Sequence, residues 1–381
     1  MPNPLCDTIS SFLVMDILER ACVLERQGKN VVHMQIGEPD FDTPEPVKQA
    51  AVKAIQDGHT HYTHSLGLPA LREAICAYYL RTYGVNVDPN QVIVTSGTSP
   101  AMLLTFSALI HAGDEVVLTD PHYACYPNFI TYAGGRVRRA RTRAEDGFQF
   151  TPQTLAPHLA DSPRAVVVNS PANPAGTVMP DADFQAVCQS GTTIVSDEIY
   201  HGLTYGSPAR CALEFTDNCF VLNGFSKLWA MTGWRLGWVI APKKYVPAMQ
   251  RLQQNFFISA SSVSQWAGIA ALNECDEHVA DMVAQYAKRR VVLLEGLAKL
   301  GLKAPVEPTG AFYALVDARH LSGDSLSLAR DILEKALVGV TPGIDFGPGA
   351  EGYLRFSYAS SVENIEEGLS RLGKYLSAEH V

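Results

Sequence analysis

No run of apolar residues in the sequence approaches the roughly 20 that a membrane-spanning helix requires, so no membrane span is expected. Met1 to Asp7 carries proline and aspartate where a secretory leader needs a basic segment and an apolar run, so no signal peptide is expected either. Positive charge is also in short supply. Thirty Lys and Arg stand against 39 Asp and Glu, a net charge of −9, which argues against a surface built for nucleic acid or anionic lipid. The eight cysteines, at 6, 22, 76, 125, 188, 211, 219 and 275, include no CxxC pair. Buried free thiols and a cytoplasmic location follow as expectations.

What is present is a globular chain of 381 residues, 47% of them hydrophobic, enough for two cores, since one rarely grows beyond about 250 to 300 residues. Helical periodicity appears at Phe12 to Glu25, Pro44 to Ile55, Pro69 to Tyr83, Ser99 to Leu109 and Asp181 to Gln189. Short apolar runs at Val31 to Ile36, Gln91 to Thr95, Glu115 to Thr119, Ala165 to Asn169, Thr193 to Ser196, Cys219 to Gly224 and Leu236 to Ala241 predict strands. Nearly all-apolar strands alternating with helices predict an α/β fold with a mainly parallel sheet covered on both faces. A long helix from about His278 to Leu300 then leads into a smaller α+β portion. Its strands are expected near Ala311 to Val316 and Tyr353 to Ser357, its helices at Ser325 to Lys335 and Val362 to Leu376.

Four segments can carry chemistry. In Asn223-Gly-Phe-Ser-Lys227, a lysine ends an apolar strand, where desolvation disfavours the ammonium form as amine nucleophiles require. Arg235, eight residues on, can supply a charged donor to a phosphate; a solvated surface lysine is the plain alternative. Val166 to Thr177 places two prolines after a strand, making a rigid loop at its C-terminal end, the usual place for sites in α/β sheets. Ile194 to Tyr200 ends a strand on Asp197, which can equally cap a helix beginning after it. Val94 to Met102 puts a glycine turn and hydroxyls at a helix start, a general phosphate cradle without the GxGxxG spacing of a dinucleotide site. The cluster His59, His61 and His64 has no nearby cysteine or acidic ligand and no i,i+4 pair, so no metal site is expected. Arg141 and Arg143 can either meet an acidic substrate or form an exposed pair on a turn.

Phe225-Ser226-Lys227 through Gly233-Trp-Arg235-Leu-Gly237 resembles the cofactor-lysine signature of the class I/II aminotransferases, pyridoxal 5'-phosphate enzymes of fold type I. The resemblance runs in family order from about residue 35 to 359. It implies a large domain (44–280) around a seven-stranded sheet, a small α+β domain (281–381), and an N-terminal segment (1–43) packed with the latter. It implies that Lys227 carries the cofactor covalently, Asp197 pairs with the pyridine nitrogen, and Asn173 and Tyr200 serve the phenolic oxygen. Gly97, Thr98, Ser99, Ser226 and Arg235 would hold the phosphate, with Tyr123 stacked on the ring. Arg355, in Leu354-Arg-Phe-Ser-Tyr-Ala359, would bind the substrate carboxylate beneath Gly37. Tyr62 would reach the cofactor phosphate of the neighbouring subunit, which makes the functional unit a homodimer. Gly224 replaces a hydroxyl residue the family usually has three before the lysine, and Ser170 and Ala175 depart from its Asn-Pro-x-Asn-Pro-Thr-Gly turn. Glu198 is expected on the surface or in a structural pair.

The implied reaction is ping-pong transfer of an amino group between an amino acid and a 2-oxo acid. A carbon–sulfur β-lyase or an enzyme like aminocyclopropane-carboxylate synthase shares the same lysine, aspartate and arginine. A cofactor-binding regulatory module is the non-enzymatic reading.

Overall fold

The computed structural model describes residues 3–378. Seven strands form the central sheet: β2 (Val92–Thr95), β3 (Glu115–Asp120), β4 (Arg136–Arg141), β5 (Ala165–Asn169), β6 (Ile194–Asp197), β7 (Cys219–Gly224) and β8 (Gly237–Ile240), after a two-residue strand β1 (Val32–His33). Their order is β2-β8-β7-β6-β5-β3-β4, with β8 antiparallel to both its neighbours and every other pairing parallel. The fold is therefore α/β around a mainly parallel seven-stranded sheet.

Alternation along each strand builds two apolar layers. Val166, Val168, Ile194, Val221 and Trp238 enter one cluster, while Ala165, Val167, Val195, Phe220 and Val239 enter another on the opposite face. Each fully buried valine, isoleucine or phenylalanine contributes roughly 1.5–3 kcal/mol, which is why both faces must be covered and why these strands read as continuous apolar runs. Helices α1 (Leu13–Arg26), α2 (Glu45–Gln56), α3 (Pro69–Tyr83), α4 (Thr98–Leu109) and α5 (Tyr126–Tyr132) precede or interleave with the sheet.

The smaller portion is a three-stranded antiparallel sheet of β9 (Tyr313–Asp317), β11 (Thr341–Pro342) and β12 (Tyr353–Ser357), with β10 (Val338–Gly339) pairing in parallel with β1. Helices at Ser325–Ala336 and Val362–Ala378 cover it, and a 24-residue helix, Asp276–Lys299, leads into it.

Two expectations need correction, and one strand was not among those expected. The strand expected over Val31 to Ile36 is only Val32–His33; just beyond it the Gln35 carbonyl accepts from Arg355, and Gly37 lines a cleft at the sheet's edge. The strand β4, Arg-Val-Arg-Arg-Ala-Arg, does not read as apolar because it is the charged edge of the sheet; Arg141 ends it and faces Asp120 at 3.5 Å, while Arg143 pairs with Glu145 in solvent. All eight thiols are free, but only those at 188, 211, 219 and 275 are buried; Cys6 is exposed and the other three are intermediate.

The loop after β5 is clamped to the segment entering β9. Gly176 accepts backbone hydrogen bonds from Thr309 (2.8 Å) and Gly310 (2.7 Å). Its φ is +70°, and a Cβ there would lie 2.3 Å from the Tyr313 carbonyl and 2.8 Å from Pro308. Gly176→Ala should thus cost about 1–3 kcal/mol and lower the Tm measured by thermal unfolding; an unchanged Tm would contradict this packing.

Candidate active site

The C-terminal ends of β5, β6 and β7 lie in register, Asn169 beside Asp197 and Asp197 beside Leu222, with Gly224 opposite Gly237 of β8. Outside this edge opens a cleft of about 350 Å³, within the size range of small-molecule sites. Gly37, Thr98, Ser99, Tyr123, Asn173, Asp197, Tyr200, Ser226, Lys227, Arg235 and Arg355 all line it. Residues separated by more than 300 positions thus meet because open α/β sheets place their crevice at the carboxyl ends of the strands.

Lys227 follows β7 by three residues, and its Nζ donates to the Gly37 carbonyl at 2.6 Å. Burial lowers its pKa to about 8; Glu38 opposes that shift, while Arg355 and Arg235 reinforce it. Asp197 is 3% exposed. Its Oδ2 accepts the Tyr126 hydroxyl at 2.6 Å and its Oδ1 the Ile199 N–H at 3.2 Å. Burial pushes its pKa up to about 6, against those two bonds and the charge of Lys227.

The loop carrying Asn173 is fixed through Asn169. The Asn169 amide donates to the Asp197 carbonyl at 3.0 Å, and its Oδ1 accepts the Asn173 N–H at 2.8 Å. Arg355 then closes the far side. Its Nη1 donates to Asn173 Oδ1 at 2.9 Å, and its Nη2 donates to Thr341 Oγ1 at 3.1 Å and to the Gln35 carbonyl. The guanidinium lies 4.3 Å from the Tyr313 ring centroid, a cation–π contact that helps orient the planar fork. Its Nε is buried with no hydrogen-bond partner among the described residues. Tyr200 shares a 2.9 Å hydrogen bond with Tyr313, and a Cβ on Gly37 would lie 2.0 Å from the Tyr313 hydroxyl, so only glycine fits there.

At the other end, Gly97 (φ +100°) begins α4, whose N-terminus has no side-chain cap among the described residues. Arg235, at φ +50°, donates from Nη1 to the Thr232 carbonyl at 2.8 Å. Its Nη2 would lie 2.7 Å from a Cβ on Gly97. A helix N-terminus facing a guanidinium is a place for an anion. Gly224 has its own reason: a Cβ there would stand 3.1 Å from both the Gly237 Cα and the Leu236 carbonyl. Tyr123 packs edge-on to Phe12 and Tyr126, with centroids 6.0 and 5.2 Å away.

Not every expected residue is here. Tyr62 is 82% exposed and lies among His61 and Ser259 to Val263, outside the cleft. His59 stacks on Trp266 at 4.6 Å, and His64 Nδ1 accepts the Leu66 N–H. Glu198 is not on the surface: it is fully buried, bonded by Ser196 and the Ala212 N–H, with His201 3.5 Å away. Burial pushes its pKa up to about 8. Sequence reasoning missed Tyr126, Asn169, Tyr313 and Thr341. Tyr126 offered a signal, lying three residues after Tyr123 at a helix start, and Asn169 another, ending β5 four residues before Asn173; Tyr313 and Thr341 offered none, since each acts by tertiary contact.

The depressed pKa has a direct consequence. In protein stripped of bound small molecules, the Lys227 amine should be half deprotonated near pH 8, whereas an ordinary lysine reaches that point near 10.4. Amine labelling followed by peptide mass mapping should show Lys227 reacting with a midpoint near 8. A midpoint above 10 would contradict the burial of this amine.

Comparison with known proteins agrees with the cleft. Residues 29–372 match the family described as Aminotransferase class I and II. The chain is 39% identical to a (5-formylfuran-3-yl)methyl phosphate transaminase of Methanocaldococcus jannaschii over 96% of this chain and 97% of that protein. It is 40% identical to an aspartate/prephenate aminotransferase of Thermus thermophilus, covering 94% of each. Among solved structures, the Thermus thermophilus aspartate aminotransferase with maleate superposes with a TM-score of 0.94 at 37% identity, over 98% of this chain and 99% of that one. The chain therefore belongs to the class I and II aminotransferases, the pyridoxal-phosphate-dependent family of fold type I.

Proposed function

We propose that the protein transfers an α-amino group between an amino acid and a 2-oxo acid in two half-reactions, with pyridoxal 5'-phosphate held at Lys227. The observation that carries this reading is a buried amine of depressed pKa between a buried carboxylate and two separated guanidinium groups. The donor set fits the cofactor. The uncapped start of α4 beside Arg235 suits its phosphate, together with Gly97, Thr98, Ser99 and Ser226. Asp197 suits the ring nitrogen, and Asn173 and Tyr200 suit the phenolic oxygen. Tyr123 suits the face of the ring.

When bound, pyridoxal phosphate supplies an electron sink for the charge that develops at the substrate's α-carbon. The chain's own groups do the rest. A cationic ring nitrogen beside Asp197 would lower that residue's pKa from about 6 and keep it ionised at neutral pH. Arg355, held by Asn173, Thr341 and the Gln35 carbonyl, presents its fork to the α-carboxylate in one orientation. Lys227 Nζ would take the α-proton from the substrate carbon and pass it on to the cofactor rather than back to that carbon, a role open to an amine that is about half neutral near pH 8. Tyr62 projects outward, and we assign it to the phosphate of a second subunit in a homodimer.

Lys227→Ala should abolish the visible absorbance of the purified protein and lower kcat by at least about 10²–10⁴-fold; retained transaminase activity would end the assignment. With amino acid alone and no oxo acid, the protein should release at most one equivalent of 2-oxo acid per subunit. Continuous release of oxo acid with ammonia would instead identify a β-lyase.

A further inference from the structure

The first helix has two apolar faces where folding needs one. Val14, Ile17, Ala21 and Leu24 are buried and turn α1 toward β11 and the helix Ser325–Ala336. Beside this stripe, Met15 and Leu18, three apart and so on one face, line the active-site cleft with Phe12 and Ile36. Met15 remains 46% exposed. Together Phe12, Met15, Leu18 and Ile36 give the cleft that holds Lys227 an apolar wall, as small-molecule sites have.

The wall is anchored at its start from both sides. The Asp345 carboxylate accepts the N–H groups of Leu13 (3.0 Å) and Val14 (3.2 Å). Asn128 Oδ1 accepts from the Ser10 N–H and hydroxyl, both at 3.2 Å, and Phe12 packs edge-on to Tyr123. The cap has an electrostatic effect as well. The N-terminus of α1, otherwise a place for an anion, is already neutralised by Asp345.

The cationic side chains of the cleft are equally committed. Arg235 lies against Gly97, Arg355 is tied to Asn173 and Thr341, and Lys227 is the reacting amine. Among the described residues lining the cleft, the other charged side chains are Asp197 and Glu38, both acidic; Glu38 accepts a hydrogen bond from Thr232. A second carboxylate on a substrate would meet an apolar wall and a like charge.

We propose that the amino acid this site prefers has an apolar side chain, aliphatic or aromatic, seated on the wall formed by Phe12, Met15, Leu18 and Ile36. This rests on the aminotransferase reading and names its substrate class.

The test is kcat/KM of the cofactor-loaded enzyme for leucine, methionine, phenylalanine, aspartate, glutamate and lysine as donors, against a saturating 2-oxo acid. The best apolar donor should exceed every charged donor by roughly tenfold or more, the scale on which pocket contacts discriminate. A smaller margin, or a charged donor in first place, overturns the proposal while leaving the aminotransferase assignment standing. No transfer from any donor overturns both. Leu18→Arg should lower the leucine-to-aspartate ratio roughly tenfold with the visible absorbance retained. Met15→Arg, at an exposed position, makes the same test should Leu18→Arg fail to fold. An unchanged ratio in a folded variant would show that the side chain does not lie on this wall.

Discussion

A lysine amine taken out of water is the constraint around which this molecule is organised. Desolvating an ammonium is costly, and the structure meets that cost by letting the group release its proton near pH 8 and by giving Nζ one acceptor, the Gly37 carbonyl. That single bond joins two distant parts of the chain. Gly37 belongs to the segment after β1, and Lys227 to the loop after β7. The same segment offers the Gln35 carbonyl to Arg355, so amine and guanidinium share one backbone support. The space above Gly37 is in turn filled by the Tyr313 hydroxyl, which also reaches Tyr200. The Lys227 amine, the Arg355 guanidinium and the two tyrosines are one connected assembly.

The two charged ends of the cleft are kept apart by the architecture. Arg235 sits at the start of α4, at the antiparallel end of the sheet where β2, β8 and β7 meet. Arg355 arrives on β12, from the second sheet. Asp197 lines the same cleft, and its partners Tyr126 and Ile199 hold it in place and counter part of the burial effect. Relatives of similar identity to this chain act, by their names, on a furan phosphate aldehyde or on aspartate and prephenate.

How much of this was legible depended on whether a residue acts along the chain or across it. The sheet was legible because strands buried on both faces read as continuous apolar text, as in Ala165–Asn169 and Cys219–Gly224. The edge strand Arg136–Arg141 was not, because an edge is best protected by charge. Lys227, Asp197, Asn173 and Arg235 stood out because each ends a strand or follows a glycine or proline turn. Tyr313 and Thr341 were silent, since nothing local distinguishes a strand tyrosine that abuts Gly37 from one that fills a core. Glu198 was legible only as far as two alternatives, the surface or a structural pair, and the packing of Ser196, Ala212 and His201 around it makes it the structural one.

The central claim is that Lys227 carries pyridoxal phosphate, and it can be read directly. The purified protein, loaded with the cofactor and reduced with borohydride, should yield on digestion one phosphopyridoxyl-modified peptide, with the added mass on Lys227. Modification at another lysine, or an active enzyme whose Lys227 peptide carries no added mass, would contradict the account.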